Sequence, residues 1–180
     1  MLCGSSRPVT RRFLAFETRE PLLFEKAMTA LAERMAGKIP RDVVLVTLAD
    51  APAEGVVRLV APQFASLPHD IAWRIRPGAH HGYDRDVSLV LMRGTDVLGA
   101  MLVHRSGELA EVDVNVVAPQ IRGRWANVLL LEGMARRART AGVTCFHFFC
   151  EEHVRDTANL ARRSGVHVLP PRLMLTLLLG

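Results

Sequence analysis

A chain of 180 residues, 49% hydrophobic and 23% charged, is long enough to bury about two-thirds of its unfolded surface in one core, and its composition excludes a disordered or collagen-like chain. The formal charge of +5 suits an anionic partner such as a phosphorylated cofactor, yet the basic residues are almost all arginines, scattered and without interleaved aromatics, which argues against a nucleic-acid footprint. Cys3, Cys145 and Cys150 are odd in number and make no close zinc-type pair, so a reduced, cytoplasmic protein without a metal centre is expected.

Arg12 to Glu17 reads as a short strand, and Pro21 to Ala36 as an amphipathic helix. Leu23, Ala27, Leu31 and Met35 form the helix stripe, Phe24 and Met28 lie beside it, and Gly37 and Pro40 close it. Residues 1–41 thus form an N-terminal extension, whose stripe is expected to bury Leu23, Leu31 and Met35 against the domain or against a second copy in a homodimer. Residues 42–180 carry the better-patterned domain. Val43 to Leu48 is a β-branched run followed by a helical pattern through Val56 to Val60, and Pro62 to Gly82 is an irregular or partly helical connection.

Three strand patterns follow at Val87 to Met92, Val97 to His104 and Leu109 to Val117, separated by Gly94-Thr95-Asp96 and Ser106-Gly107, which predicts an antiparallel meander. Arg122 to Thr140 has the helical period and Gly142 as a stop, while Val143 to Cys150 is apolar enough for a central strand covered on both faces. A helix over Glu151 to Ser164 and one or two strands over His167 to Leu179, broken at Pro170-Pro171, complete the pattern. The apolar stretch Leu173 to Leu179 is far shorter than the ~20 residues that span a bilayer, so no membrane partner is expected.

The segment Val117-Ala118-Pro119-Gln120-Ile121-Arg122-Gly123 runs from a strand straight into a long helix, where unpaired N–H groups and the helix dipole favour an anion. The Val-x-Pro-x-x-Arg-Gly run, the Leu129-Leu130 pair and the strand and helix that follow resemble the acyl-CoA core of the GNAT superfamily of N-acyltransferases. The resemblance implies an α/β fold with a mixed, mainly antiparallel sheet flanked by helices on both faces, and acetyl-CoA or another acyl-CoA as co-substrate. It implies that Val116 and Val117 lie along the pantetheine and that Arg122, Gly123, Arg124, Trp125, Ala126 and Asn127 surround the pyrophosphate. Two positions that are glycine or alanine in the family hold Trp125 and Asn127. An indole there either narrows the loop or anchors the helix.

Period-2 alternation puts Glu111, Asp113 and Asn115 on one face of their strand and Val112, Val114 and Val116 on the other. In the family's histone-acetylating branch a glutamate in an Ala-Glu-Val context is the general base, which Ala110-Glu111-Val112 matches; Glu111, helped by Asp113, is the expected base. A solvated sheet face is the competing reading of the two acids. The family's asparagine and tyrosine of the last helix fall on Val154 and Ala161, and the sole tyrosine, Tyr83, lies in the His80-His81-Gly82-Tyr83 loop. His147, inside an apolar strand, reads as a core imidazole, and the three-residue separation of Cys150 and His153 does not by itself make a nucleophile pair. The expected function is transfer of an acyl group from acyl-CoA to a small-molecule or peptide amine. A GNAT-like binding or assembly module that has lost the cofactor site is the alternative, and a nucleic-acid-binding domain has only the net charge behind it.

Overall fold

A computed structural model describes residues 9–64, 68–122, 125–151, 159 and 166–176. Among the described residues, seven strands and four α-helices follow one another as β1 (Val9–Thr18), α1 (Pro21–Met35), β2 (Val43–Thr47), α2 (Ala53–Val60), α3 (Pro68–Arg74), β3 (Leu89–Arg93), β4 (Asp96–Ser106), β5 (Leu109–Val117), α4 (Ala126–Thr140), β6 (Cys145–Glu151) and β7 (His167–Thr176). The strands form one sheet in the order β2-β3-β4-β5-β6-β1-β7, parallel only between β5 and β6. The mixed, mainly antiparallel sheet expected from the sequence is therefore present. Among the described residues no helix is long and apolar enough to cross a membrane.

The meander β2 to β5 follows from its turns. Gly94 and Gly107 sit at φ of 56° and 60°, the left-handed region in which a residue without Cβ is unstrained, and each closes a tight hairpin. β1 pairs antiparallel with β6 on one side and β7 on the other. The segment read as an extension thus supplies an interior strand of the sheet. The break expected at Pro170-Pro171 does not occur: β7 runs through both prolines, which occupy a bulge between Leu169 and Arg172 at the sheet edge, where missing N–H donors are tolerated. The helix expected over Glu151 to Ser164 lies, apart from Glu151 and Asn159, outside the described residues.

Two cores lie on opposite faces of the sheet. Met101 and Val103 of β4 join Phe16, Phe146 and Phe148 under α1 and α4, while the alternate residues Ala100 and Leu102 join Val56, Val60, Ile71 and Ile75 on the α2 and α3 side. Gly133 lets α4 approach closely, since a Cβ there would meet Leu89 Cδ1 at 2.8 Å. The α1 stripe is rotated from the expected one. Phe24 and Met28 are buried, Leu31 and Met35 pack at the margin, and Leu23 is 57% exposed. The reason is aromatic: Phe24 lies tilted against Phe146 and Phe148, with centroids 5.9 and 6.0 Å away, so the bulkiest apolar group sets the helix's rotation.

Phe24→Ala is therefore expected to cost about 3–5 kcal/mol of unfolding free energy by leaving a cavity. Leu23→Ala should stay within about 0.5 kcal/mol. Urea denaturation of both variants measures the contrast, and equal losses would contradict the observed rotation of α1.

Candidate active site

β5 and β6 pair in parallel only from Leu109–Cys145 to Val112–Phe148. Beyond that register the ladder ends, while β5 continues to Val117 and β6 to Glu151, so the two strands leave a fork between them. Past the fork Ala118 N–H donates to Leu98 O at 2.8 Å, a 3-10 turn covers Pro119–Ile121, and Arg122 Nε donates back to Val117 O at 3.2 Å. α4 then starts with Trp125 at the N-cap position, and among the described residues it has no side-chain cap and no acidic residue in its first turn to offset the positive end of the dipole.

Of the residues expected around this corner, Val116, Val117, Trp125 and Ala126 are buried. Trp125 is 4% exposed and belongs to the core beneath α4, so the indole acts as a packing anchor of the helix start. Gly123 and Arg124 lie outside the described residues. Among the described residues Asn127 Oδ1 and Asn115 Oδ1 are buried without a hydrogen-bond partner, which is uncommon for buried acceptors.

The alternation expected along β5 is interrupted. Leu102 pairs with Val114 and Val103 with Val112, so Asp113 is the extra residue of a β-bulge. Val112 therefore enters the core under α1 and α4, whereas Val114 and Val116 enter the one under α2 and α3. Glu111 and Asn115 consequently fall on opposite faces, correcting the single polar face read from the sequence. Asp113 Oδ2 accepts a hydrogen bond from Tyr83 Oη at 2.8 Å and an ion-paired one from Arg74 Nη1 at 2.9 Å.

Tyr83 is held there by its surroundings. Its N–H donates to Arg74 O at 3.1 Å, Asp84 N–H donates to Val103 O at 2.8 Å, and the Arg74 guanidinium lies 4.8 Å above the Tyr83 ring. The ring also lies 4.8 Å from that of His104, whose Nε2 accepts from Arg74 Nη2. The sequence reading missed Arg74 and His104. The alternation Ala100, Leu102, His104 along β4 was the available signal for the second, since it aligns the imidazole with the α3 face.

Glu111 has His104 as its Cα partner on β4 and His147 on β6. His147 is in turn paired with Glu17 of β1, and Glu17 with His167 of β7. One row across five strands thus alternates imidazole and carboxylate. On β6 and β1 the half-buried His147 Nε2 and Glu17 Oε2 are 2.8 Å apart, and Glu17 Oε1 accepts from Arg19 Nε at 2.7 Å. These hydrogen bonds, that with His147 first, hold the Glu17 carboxyl below its ordinary range. On β4, burial and then the Arg74 charge lower the His104 imidazole, opposed by Asp113, Glu111 and a hydrogen bond with Gly82. Glu111 itself makes no hydrogen bond or ion pair among the described residues. Val154, Ala161 and His153, and the side chain of Cys150, lie outside them.

No protein-family model and no curated protein matches the chain. Solved structures do. A GCN5-related N-acetyltransferase from Sphaerobacter thermophilus is 16% identical with a TM-score of 0.58, over 95% of this chain and 52% of that one. A putative GNAT-family acetyltransferase from Novosphingobium aromaticivorans is 13% identical with a TM-score of 0.58, over 96% of this chain and 67% of that one. An acetyltransferase from Streptococcus agalactiae is 16% identical with a TM-score of 0.57, over 77% of this chain and 100% of that one. The chain spans 53%, 62% and 52% of three of the solved chains it matches. At these identities the likeness establishes the fold: the chain has the GNAT fold.

Two expectations follow from the geometry. The native His104 binds its proton less firmly than the ordinary imidazole at 6.5, so its contribution to stability is intact above that pH and is lost as pH falls from there through the depressed native value. Denaturation midpoints should fall on acidification from neutral to pH about 5, above the range in which Glu17 titrates, and His104→Gln should flatten this part of the profile. Trp125→Ala should cost about 3–5 kcal/mol of stability without strengthening CoA binding. Tighter CoA binding in calorimetry would instead mean that the indole obstructs the loop.

Proposed function

We propose that the protein transfers an acyl group from an acyl-CoA, with acetyl-CoA the simplest donor, to an amine of a small molecule or peptide. The observation that carries this reading is the placement of Glu111. Among the described residues it is a carboxylate without a hydrogen bond or ion pair, on β5 one residue before the ladder with β6 ends, on the strand that runs into the uncapped N-terminus of α4.

The corner fits such a donor. The first amides of α4 suit a pyrophosphate, the freed edge of β5 around Val116 and Val117 suits an amide-bearing arm, and the orphaned Asn115 and Asn127 oxygens are acceptors awaiting donors. Trp125, withdrawn into the core, does not oppose the fit. The acyl-CoA supplies a thioester carbonyl to be attacked. Glu111 removes the proton from the incoming ammonium, because only the neutral amine has the lone pair that attack requires. Asp113 has a supporting part: its pairing with Arg74 and Tyr83 fixes the bulge that aims the strand.

A GNAT-like binding or assembly module is the second reading. The engagement of Asp113, which withdraws one of the two acids from proton transfer, favours it. Glu111→Gln separates the two: it should reduce turnover about 10²-fold or more while CoA affinity by calorimetry stays unchanged. CoA binding with equal activity in wild type and variant, across a panel of amines, would remove Glu111 from the base's role. Binding without turnover in either would favour the module.

A further inference from the structure

We propose that Glu17, Cys145 and His147 form a binding site for a divalent transition-metal ion of zinc's class. Cys145 pairs with Leu109 at the start of the β5–β6 ladder and His147 with Glu111 two rungs on, so the set lies on the β1 side of β6, in the same cross-strand row as Glu111. One donor atom from each lies within 4.8 Å of the other two.

Strand register builds the set. Glu17 is the direct cross-strand partner of His147, and Cys145 is two residues before His147, so all three side chains share one face of the sheet. They line an open surface depression of about 460 Å³ together with Arg19, Leu109 and Thr144, which leaves room for a water as fourth ligand. Sequence spacing does not reveal the set, because Glu17 and His147 are 130 residues apart.

The donor chemistry selects the metal. One thiolate, one imidazole and one carboxylate suit zinc or cobalt, whereas magnesium and calcium take oxygen ligands and bind a cysteine poorly. Arg19 serves as the outer support: its Nε holds Glu17 Oε1, which orients the carboxylate and leaves Oε2 for the metal. The ion takes the place between Oε2 and His147 Nε2 now occupied by their hydrogen bond, the imidazole changing tautomer without gaining or losing a proton overall. Burial, and then the Glu17 charge, push the Cys145 thiol up, so the metal-free group is a thiol. Binding replaces that one proton by the metal–sulfur bond and releases it to solvent, with no change of oxidation state.

Titration of the full chain with cobalt(II) alone tests the site. One equivalent is expected to give visible d–d bands of tetrahedral cobalt and a near-ultraviolet thiolate-to-cobalt band, both lost when zinc is added. Cys145→Ser should abolish the thiolate band, Glu17→Gln should weaken binding roughly tenfold or more, and Cys150→Ser should leave both spectrum and affinity alone. Unchanged circular dichroism establishes that the variants are folded, and Glu17→Gln carries the test should Cys145→Ser fail to fold. A wild-type chain without the thiolate band, one whose band survives in Cys145→Ser, or a Glu17→Gln variant of unchanged affinity would overturn the proposal.

Discussion

Half of the sheet depends on where β1 lies. β6 is held to β5 across only four residue pairs, β1 covers its other edge, and among the described residues β7 pairs with β1, so the strand that opens the described chain buttresses β6 and joins β7 to the sheet. Its two faces do different things. Phe16 stacks on Phe148 with centroids 5.3 Å apart and extends the core under α1 and α4, while Glu17 meets His147 on the other face. The contacts that close the sheet therefore span most of the chain, and each carries a loop-closure cost that local hairpins such as β3–β4 avoid. Aromatic burial offsets that cost: Phe16, Phe24, Phe146 and Phe148 all belong to one core.

The bulge at Asp113 is the second constraint. A regular β5 would send Val112, Val114 and Val116 to one face of the sheet. The extra residue lets the start of β5 serve the α1 and α4 side and its end the α2 and α3 side. It also lies next to the point where β6 leaves the ladder, so the strand changes face as it loses its neighbour. The bulge residue is an acid re-aimed toward Arg74 and Tyr83, which anchors the α3 connection to the sheet.

Local signals were legible in the sequence and pairings across long separations were not. Turn glycines, β-branched runs and the change of period after Pro119 specify β2 to β5, α4 and β6, because each depends on residues a few positions apart. The place of β1 between β6 and β7 leaves no such trace, since periodicity says which face a strand buries but not which strand it joins. The bulge is hidden for a related reason: Glu111, Asp113 and Asn115 alternate with valines in the sequence, and only the pairing with β4 reveals the extra residue. Leu23 and Phe24 are equally apolar in a pattern, and the aromatic neighbours that choose between them come from β6. The corner into α4 was visible as a motif, while the burial of Trp125 follows from the core that α4 shares with α1, which no local window contains.

The alternating row across β4, β5, β6, β1 and β7 explains why Glu111 and Asp113 differ although both are acids on one strand. Opposite polarity on adjacent strands is favourable, and most members of the row already have a claimant: His104 accepts from Arg74, and His147 and Glu17 are joined to each other. Asp113 has two donors of its own. Glu111 is flanked by imidazoles that are engaged elsewhere, so its oxygens remain uncommitted. A carboxylate serving only the fold gains most when it is paired, as Asp113 is with Arg74 and Asp84 with Arg105. A carboxylate proposed to accept a substrate proton must instead keep a lone pair free, and of the two acids on β5 Glu111 alone is without a hydrogen bond or ion pair among the described residues.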